Sequence, residues 1–202
     1  MKLLIASNNK NKIKEIREIL NDYSLEILSL DDLGIDVEVI EDADTFEGNA
    51  RKKAHEVYSI ANIPTIADDS GLMVDALDDK PGVHSARYAG PSCSYSDNNN
   101  KLLSELSNKP KPHRAKFVSV INFKSAEYDE IFEGYFEGEI VESPRGSYGF
   151  GYDPVFKPDG YDLTFAELSS EEKNKISHRS RSLQKLKEFL KTITDCNCQT
   201  II

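Results

Sequence analysis

The sequence from residue 114 to residue 124 reads RAKFVSVINFK, and residues 131–141 read IFEGYFEGEIV. Side chains of two kinds alternate along both segments, so that Phe117, Ile121 and Phe123 share one side of the first. A period of two residues predicts β-strands, and the few residues between the segments favour an antiparallel pair. These two long strands decide the fold class, because the helical patterns elsewhere then have a sheet to cover.

The rest of the chain alternates short strands with helices. Residues 2–6 and 25–30 have the composition of strands, whereas Ile13, Ile16 and Ile19 recur at helical spacing. Three further helices and one short buried strand are predicted: helices from Asp44 or Thr45 to about residue 60, at 97–106 and near 183–193, and a strand at 65–67 that leads into a loop. The predicted fold is α/β, an elongated mixed central sheet flanked by helices, with an active-site cleft between two lobes. Residues 1–202 are expected to form a single domain, since no repeat or linker divides them.

Composition narrows the possible partners. The 202 residues include 25 Lys and Arg against 35 Asp and Glu, which gives a net charge of −10. Such a balance disfavours a surface that coats duplex nucleic acid, and no apolar run approaches the roughly 20 residues of a membrane span. No secretory signal is expected, and Cys93, Cys196 and Cys198 do not form a disulfide framework. A cytoplasmic protein without nucleic-acid or membrane partners is expected.

Two basic clusters could bind phosphate. Residues 7–12, SNNKNK, lie between the first strand and the first helix, where backbone N–H groups and lysines attract anions. Residues 172–181 concentrate further donors, namely Lys173, Lys175, His178, Arg179 and Arg181. Each cluster also has a structural interpretation, as an N-capping turn for the first and as a solvated basic face for the second.

Acidic and aromatic clusters complete the candidates. Asp68 and Asp69 follow a short strand, and paired carboxylates at such a place suit Mg²⁺ or a general base. A solvated turn would explain the same pair. In the segment SYGFGYDP, residues 147–154, glycines let the backbone approach a flat ligand on which Phe150 or Tyr152 could stack. Packing of these aromatic rings in the core is the alternative.

Together, the segments resemble the inosine triphosphate pyrophosphatase family, also called Ham1-like proteins. The resemblance is carried, in chain order, by SNNKNK at 7–12 with Glu15, TFxxNA at 45–50 with Lys53-Ala54, ADDSGL at 67–72, PGVHSARY at 81–88, GFGYDP at 149–154 and SHR at 177–179. The family implies a Mg²⁺-dependent enzyme that hydrolyses ITP, dITP and XTP to the monophosphate and pyrophosphate. It also implies a two-lobed α/β fold and a homodimer.

Residue roles follow from the matched motifs. The resemblance makes Asp69 the catalytic base and a metal ligand, with Glu41 as the other metal-binding acid and Glu38 or Asp42 as substitutes. The substrate-binding residues it implies are Ser7, Asn8, Asn9, Lys10, Asn11, Lys12, Lys53, Ser70, Phe150, Gly151, Tyr152, Asp153, Lys173, His178 and Arg179. Phe150 is expected to stack on the purine, and His178 and Arg179 to donate to its 6-oxo group.

Two other functions remain open at this point. A Maf-like nucleotide pyrophosphatase would cleave the same bond, although its Ser-x-Ser-Pro-Arg-Arg type of opening loop is absent from this sequence. A nucleotide-binding protein that has lost catalysis is the second alternative, which the presence of Asp69, Lys12 and Lys173 disfavours.

Overall fold

The structure, a computed structural model, describes residues 1–21 and 25–199, with side chains described up to residue 194. In this part of the chain seven strands form one sheet in the order β2-β1-β3-β5-β6-β7, with β4 also paired to β3. The strands are β1 (Lys2–Ile5), β2 (Glu26–Ser29), β3 (Thr65–Val74), β4 (Lys80–Pro81), β5 (Arg114–Lys124), β6 (Asp129–Ile140) and β7 (Phe156–Pro158). The helices are α1 (Lys10–Ile19), α2 (Phe46–Ala61), α3 (Tyr95–Leu106), α4 (Ser170–Ile176) and α5 (His178–Gln199).

The sheet is mixed, as predicted. β1 pairs in parallel with β2 and β3, whereas β3, β5, β6 and β7 pair antiparallel. The predicted pair of long strands is confirmed by β5 and β6, which run side by side from Arg114↔Glu139 to Lys124↔Asp129. The alternating sequence therefore identified the centre of the fold.

The strand β3 is much longer than the predicted strand at 65–67. It continues through Asp68, Asp69, Ser70 and Gly71 and pairs with β5 along its whole length, from Thr65↔Lys124 to Val74↔Ala115. The prediction of a loop after Ala67 is therefore wrong. The polar side chains are not in a solvated turn, because β5 on one side and buried ion partners above and below keep the segment extended.

Helices cover both faces of the sheet near β1 and β3. Leu3, Ile5 and Ile66 pack with α1 and α5, whereas Leu4 and Ala67 pack with α2. Successive residues of a strand point to opposite faces, so neighbours in β1 and β3 contribute to different cores. By the same alternation Asp68 faces α1 and α5, and Asp69 faces α2.

A third apolar cluster lies at the other end of the sheet. It joins Leu72 of β3, Leu102 of α3, Phe117 of β5 and Phe136 of β6. Residues of this cluster and of the Leu4 and Ala67 cluster line one cleft. The mixed sheet flanked by helices confirms the predicted fold class. No helix in the described part of the chain is long and apolar enough to cross a membrane.

Helix boundaries follow local capping. Thr45, one of the two predicted N-caps, accepts a hydrogen bond from the backbone of Gly48 and begins α2. Ser94 forms a capping box with Asp97, so α3 begins at Tyr95, slightly before the predicted start. The last helix begins at His178 instead of near residue 183, directly after α4. The tail from Cys196 onward lies outside the described side chains.

Candidate active site

One cleft of about 710 Å³ gathers most of the predicted site. This volume suits a ligand of nucleotide size. The predicted residues that line it are Ser7, Asn8, Asn9, Lys12, Glu41, Lys53, Asp69, Ser70, Phe150, Gly151, Tyr152, Asp153, Lys173, His178 and Arg179. Lys10 and Asn11 do not line it.

The loop at residues 7–12 both caps α1 and reaches the cleft. The side-chain oxygen of Asn9 accepts from the backbone N–H groups of Asn11 and Lys12, and Asn8 donates to the carbonyl of Val37 at 3.0 Å. Each residue of a helix is rotated by about 100° from the last, so Lys12 faces the sheet while Lys10 and Asn11 face elsewhere. The structure thus does not bring those two side chains to the cleft, and their role in substrate binding stays a prediction.

Asp68 is an ionic anchor on the α1 and α5 side of the sheet. Its carboxylate lies 2.9 Å from Lys12 Nζ and 3.1 Å from Arg179 Nη2, and it accepts a 2.6 Å hydrogen bond from Ser119. Burial opposes its ionisation, but Arg179 and Lys12 outweigh burial and hold the pKa of Asp68 well below its ordinary value. Asp68 is therefore ionised at neutral pH, and both of its carboxylate oxygens have partners.

Asp69 has the opposite surroundings. Burial raises the pKa of its carboxyl group, Glu41 adds to the rise, and Lys53 and Lys12 offset it only in part. Its oxygens lie 3.4 Å from Lys53 Nζ and 3.1 Å from Asn49 Nδ2. Since it lines the cleft with a raised pKa, Asp69 is the better placed of the two to accept a proton.

The edge of β3 explains how residues in the middle of a strand form a site. β1 pairs with β3 only at Thr65 and Ile66, and β4 only at Met73 and Val74. Between these pairings, no strand of the described chain covers this edge. The backbone carbonyl of Asp68 instead accepts from Lys53 at 2.9 Å and from Lys12 at 3.3 Å.

Asn49 is a site residue to which the sequence had given no role. It is fully buried on α2, donates to Asp69, and its side-chain oxygen accepts from the backbone N–H of Ala43 at 3.0 Å. One side chain thus ties Asp69 to the loop that carries Glu41. The sequence could have indicated this role, because Asn49 is a polar residue beside the apolar face that Ala50, Ala54 and Val57 form on the same helix.

Two acids fit the requirements of a magnesium ion. Lys53 Nζ lies 2.8 Å from Glu41 and 3.4 Å from Asp69, so both carboxylates meet at one positive charge. Among the described side chains no group of three or more His, Cys, Asp and Glu forms a metal site. Mg²⁺ is commonly held by one or two carboxylates together with substrate phosphates, and this pair suits that arrangement. Of the predicted substitutes, Glu38 lines the cleft, whereas Asp42 pairs outward with Lys52.

A buried ion network lies at the other end of the cleft. Lys173 Nζ lies 2.8 Å from Glu15 and 2.6 Å from Asp153, and Arg179 contacts Glu15, Asp68 and Ser70. Burial opposes the charge of Glu15, but Arg179 and Lys173 lower its pKa. Glu15, to which its sequence motif assigned no role, therefore joins α1 to both α4 and α5.

His178 and Arg179 present unpartnered nitrogens in this buried region. Among the described residues, His178 Nδ1 and Arg179 Nε have no hydrogen-bond partner. The imidazole of His178 stacks on Phe117 with 4.6 Å between ring centroids. Burial, Arg179 and Lys173 hold its pKa well below the ordinary value, so the ring is neutral. Both residues line the cleft, where His178 Nδ1 can still donate to or accept from a ligand and Arg179 Nε can donate.

The glycine-aromatic loop presents Phe150 and buries Tyr152. Gly149 and Gly151 have positive φ, and Asp153 accepts from the backbone N–H of Phe150 at 2.8 Å. The Phe150 ring is half-buried and lies 6.0 Å from that of Tyr95, whereas the buried Tyr152 donates to the carbonyl of Ser85. Of the two aromatic residues considered for stacking, Phe150 is therefore the one available to a planar ligand.

A nucleotide-sized cleft with acids, cations and a half-buried aromatic ring defines an α/β protein that acts on a phosphorylated, planar ligand. Residues 3–189 match the model of the Ham1 family, and the chain belongs to that family. It is 49% identical over 200 residues to a dITP/XTP pyrophosphatase of Clostridium perfringens, and the matched region covers 95% of this chain and 98% of the relative.

Solved structures show the same relationship. The Staphylococcus aureus Ham1 protein is 40% identical, with a TM-score of 0.85 over 95% of this chain and 99% of the other. A HAM1 protein from Coxiella burnetii is 36% identical, with a TM-score of 0.87 and the same coverage. These comparisons support neither the Maf-like nor the catalytically silent alternative.

Proposed function

We propose that the chain hydrolyses deaminated purine nucleoside triphosphates, ITP, dITP and XTP, to the monophosphate and pyrophosphate. One observation carries the proposal: Asp69 lies in the cleft with a raised pKa, held between Asn49 and Lys53. The names of the relatives, dITP/XTP pyrophosphatases, support this substrate class. The activity removes deaminated purines from the nucleotide pool.

The chain's own residues position the attack. Asp69 orients a water molecule and accepts its proton while the water oxygen bonds to the α-phosphorus. The bond from that phosphorus to the bridging oxygen breaks, and pyrophosphate leaves with the electron pair. Lys53 and Lys12 offset the negative charge that develops in the transition state. Mg²⁺, when held by Glu41 and Asp69, would supply further charge neutralisation at the phosphate oxygens.

The base is read at the other end of the cleft. Phe150 stacks on the purine, and donors of His178 and Arg179 meet its 6-oxo group. ATP has an amino group at that position, which would leave buried donors facing a donor. A site of this kind can reject the wrong base by roughly 10⁴-fold or more. If His178→Ala and Arg179→Ala leave the ITP-to-ATP preference intact, this assignment of the two residues is wrong.

The test is pyrophosphate release from ITP, XTP, dITP, GTP and ATP with Mg²⁺. We expect turnover of ITP, dITP and XTP, abolished by EDTA and by Asp69→Asn. Asp75→Asn, an exposed aspartate just beyond β3, is the matched control and should keep full activity. Binding of ITP without turnover by the wild-type protein would contradict the proposal.

The proposal includes a homodimer in the cytoplasm, as the resemblance implies. Light scattering on the purified protein tests the dimer, which requires twice the mass of one chain. A single-chain mass at micromolar concentration would contradict it.

A further inference from the structure

Arg87 lies in the segment at residues 81–88, to which the proposed reaction gives no role. It ends the 3-10 helix Gly82–Arg87 and lines the cleft with an exposed side chain. Its Nη2 donates to the backbone carbonyl of Glu41 at 3.1 Å. The guanidinium group therefore reaches the loop whose acid is proposed to hold the metal.

Arg87 differs from the other cations of the cleft in its ionic partners. Four others line the cleft, and each forms at least one ion pair with a carboxylate: Lys12, Lys53, Lys173 and Arg179. Arg87 has no ion pair in the part of the chain that the structure describes. Its positive charge therefore has no carboxylate partner among the described residues, and most of its N–H donors remain available.

A polyphosphate chain needs such a group. A triphosphate brings several negative charges into a cleft whose remaining cations already share carboxylates. A guanidinium group binds phosphate oxygens through two parallel hydrogen bonds, which makes arginine suited to this contact.

Its location indicates which phosphates it would meet. Asp69 faces the attacked phosphorus, and Arg87 is linked to Asp69 through Glu41 and Lys53. We propose that Arg87 binds the distal phosphates of the substrate and the pyrophosphate they become, and so selects a triphosphate over a shorter chain. This inference rests on the proposed function, since it places the same substrate in the same cleft.

Calorimetry with two probes tests the inference without turnover. Inorganic pyrophosphate and inosine monophosphate are titrated, in buffer with Mg²⁺, into the wild type, Arg87→Gln, Arg87→Lys and Arg114→Gln. Arg114 is a partly exposed arginine paired with Asp159 outside the cleft, and its variant is the matched control.

We expect Arg87→Gln to weaken pyrophosphate binding by about 10- to 100-fold, the usual range for one or two charged hydrogen bonds. Arg87→Lys should bind pyrophosphate with intermediate affinity, because lysine keeps the positive charge but cannot form two parallel hydrogen bonds. Inosine monophosphate binding should be unchanged in every variant. In turnover, Arg87→Gln should lower kcat/KM for ITP by a similar factor.

Three results would overturn the inference. These are unchanged pyrophosphate binding in Arg87→Gln, an equal loss for pyrophosphate and inosine monophosphate, and no pyrophosphate binding by the wild type. An equal loss would mean that Arg87 only holds the Glu41 loop. If the wild type binds pyrophosphate through Arg87 but does not hydrolyse ITP, the proposed reaction fails and the binding role remains.

Discussion

Asp68 and Asp69 are neighbours in the chain whose pKa values are displaced in opposite directions. Arg179 and Lys12 hold the first carboxylate ionised, whereas burial raises the pKa of the second. Strand geometry produces this separation, because adjacent side chains enter different layers of the fold. Two like groups with divergent pKa values commonly divide structural and proton-accepting work in this way.

Asn49→Ala tests how Asp69 is held. The variant removes the donor to Asp69 and the acceptor for Ala43, so we expect kcat for ITP to fall by about 10- to 100-fold with a smaller change in KM. Steady-state kinetics with ITP measures the changes in kcat and KM separately. Asn100→Ala, an exposed asparagine on α3, is the control. A rise in KM with an unchanged kcat would contradict a positioning role.

Lys173→Met tests the buried ion network. Without the shared cation, Asp153 stays buried with no ionic partner and Glu15 keeps only Arg179, so we expect the free energy of unfolding to fall by about 3–5 kcal/mol. Urea denaturation measures the loss. Lys175→Met, on the same helix but exposed, should have no measurable effect. Equal stabilities for the two variants would contradict the assigned importance of Lys173.

At the scale of elements, the position of α5 depends on one glycine of β6. A Cβ atom on Gly134 would lie 2.2 Å from the carbonyl oxygen of His178 and 2.4 Å from the backbone nitrogen of Ser182. The first turn of α5 therefore rests directly on the strand. This contact sets how far His178 and Arg179 extend into the cleft.

Gly134→Ala should displace that turn. Overpacking of this kind costs about 1–3 kcal/mol, and we expect the ITP-to-ATP ratio of kcat/KM to fall as the donors proposed to read the base shift. Gly138→Ala is the control, because its Cβ would clash with Lys157 of β7 rather than with α5. If both variants lose stability and keep the same ratio, the placement of α5 does not govern base selection.

The sequence predicted the elements that form because of local periodicity. It did not predict the extent of elements that are stabilised by residues distant in the chain. β5 and β6 alternate clearly and were predicted almost to their ends. β3 was predicted too short because Asp-Asp-Ser-Gly has the composition of a turn, and only its ion partners explain the extended chain. Similarly, the composition of α4 and the first turn of α5 is that of a solvated basic segment. Lys173 is buried because it pairs with Glu15, which lies 158 residues earlier in the chain.

At the scale of the whole molecule, the site joins segments from both halves of the chain. Motifs spread across the sequence predicted most residues of the cleft, while periodicity alone gave no role to Glu15 or Asn49. The partners of these two residues lie between 6 and 164 positions away in the sequence, and the periodicity of one segment does not predict such contacts. Lys10 and Asn11 belong to a matched motif but do not line the cleft, because a motif does not tell which way each side chain points; their role in binding stays a prediction.

The buried histidine should make stability depend on pH. The pKa of His178 is held below its ordinary value in the folded protein, while in the unfolded chain it returns to about 6.5. Below that pH the unfolded state takes up a proton that the folded state does not, so stability falls as pH falls. Urea unfolding between pH 7.5 and 5 should show this slope.

His178→Gln should flatten that slope relative to the wild type, whereas the exposed His84→Gln should not. Below about pH 4.5 a second loss of stability is expected. The pKa values of Glu15 and Asp68 are lowered in the folded protein, so these groups stabilise it only while they are ionised. The same slope in the wild type and His178→Gln would contradict the first expectation.

The uncovered edge of β3 has a consequence for amide hydrogen–deuterium exchange. The backbone N–H of Leu72 points to this edge, where it donates to Ser85, so the alternation of a strand directs the N–H of Ser70 to the same side. Asp69 and Gly71 then direct theirs toward β5. Exchange should therefore be slow at Asp69 and Gly71 and faster at Ser70, and a nucleotide in the cleft should slow Ser70 most, which makes one backbone amide a reporter of occupancy.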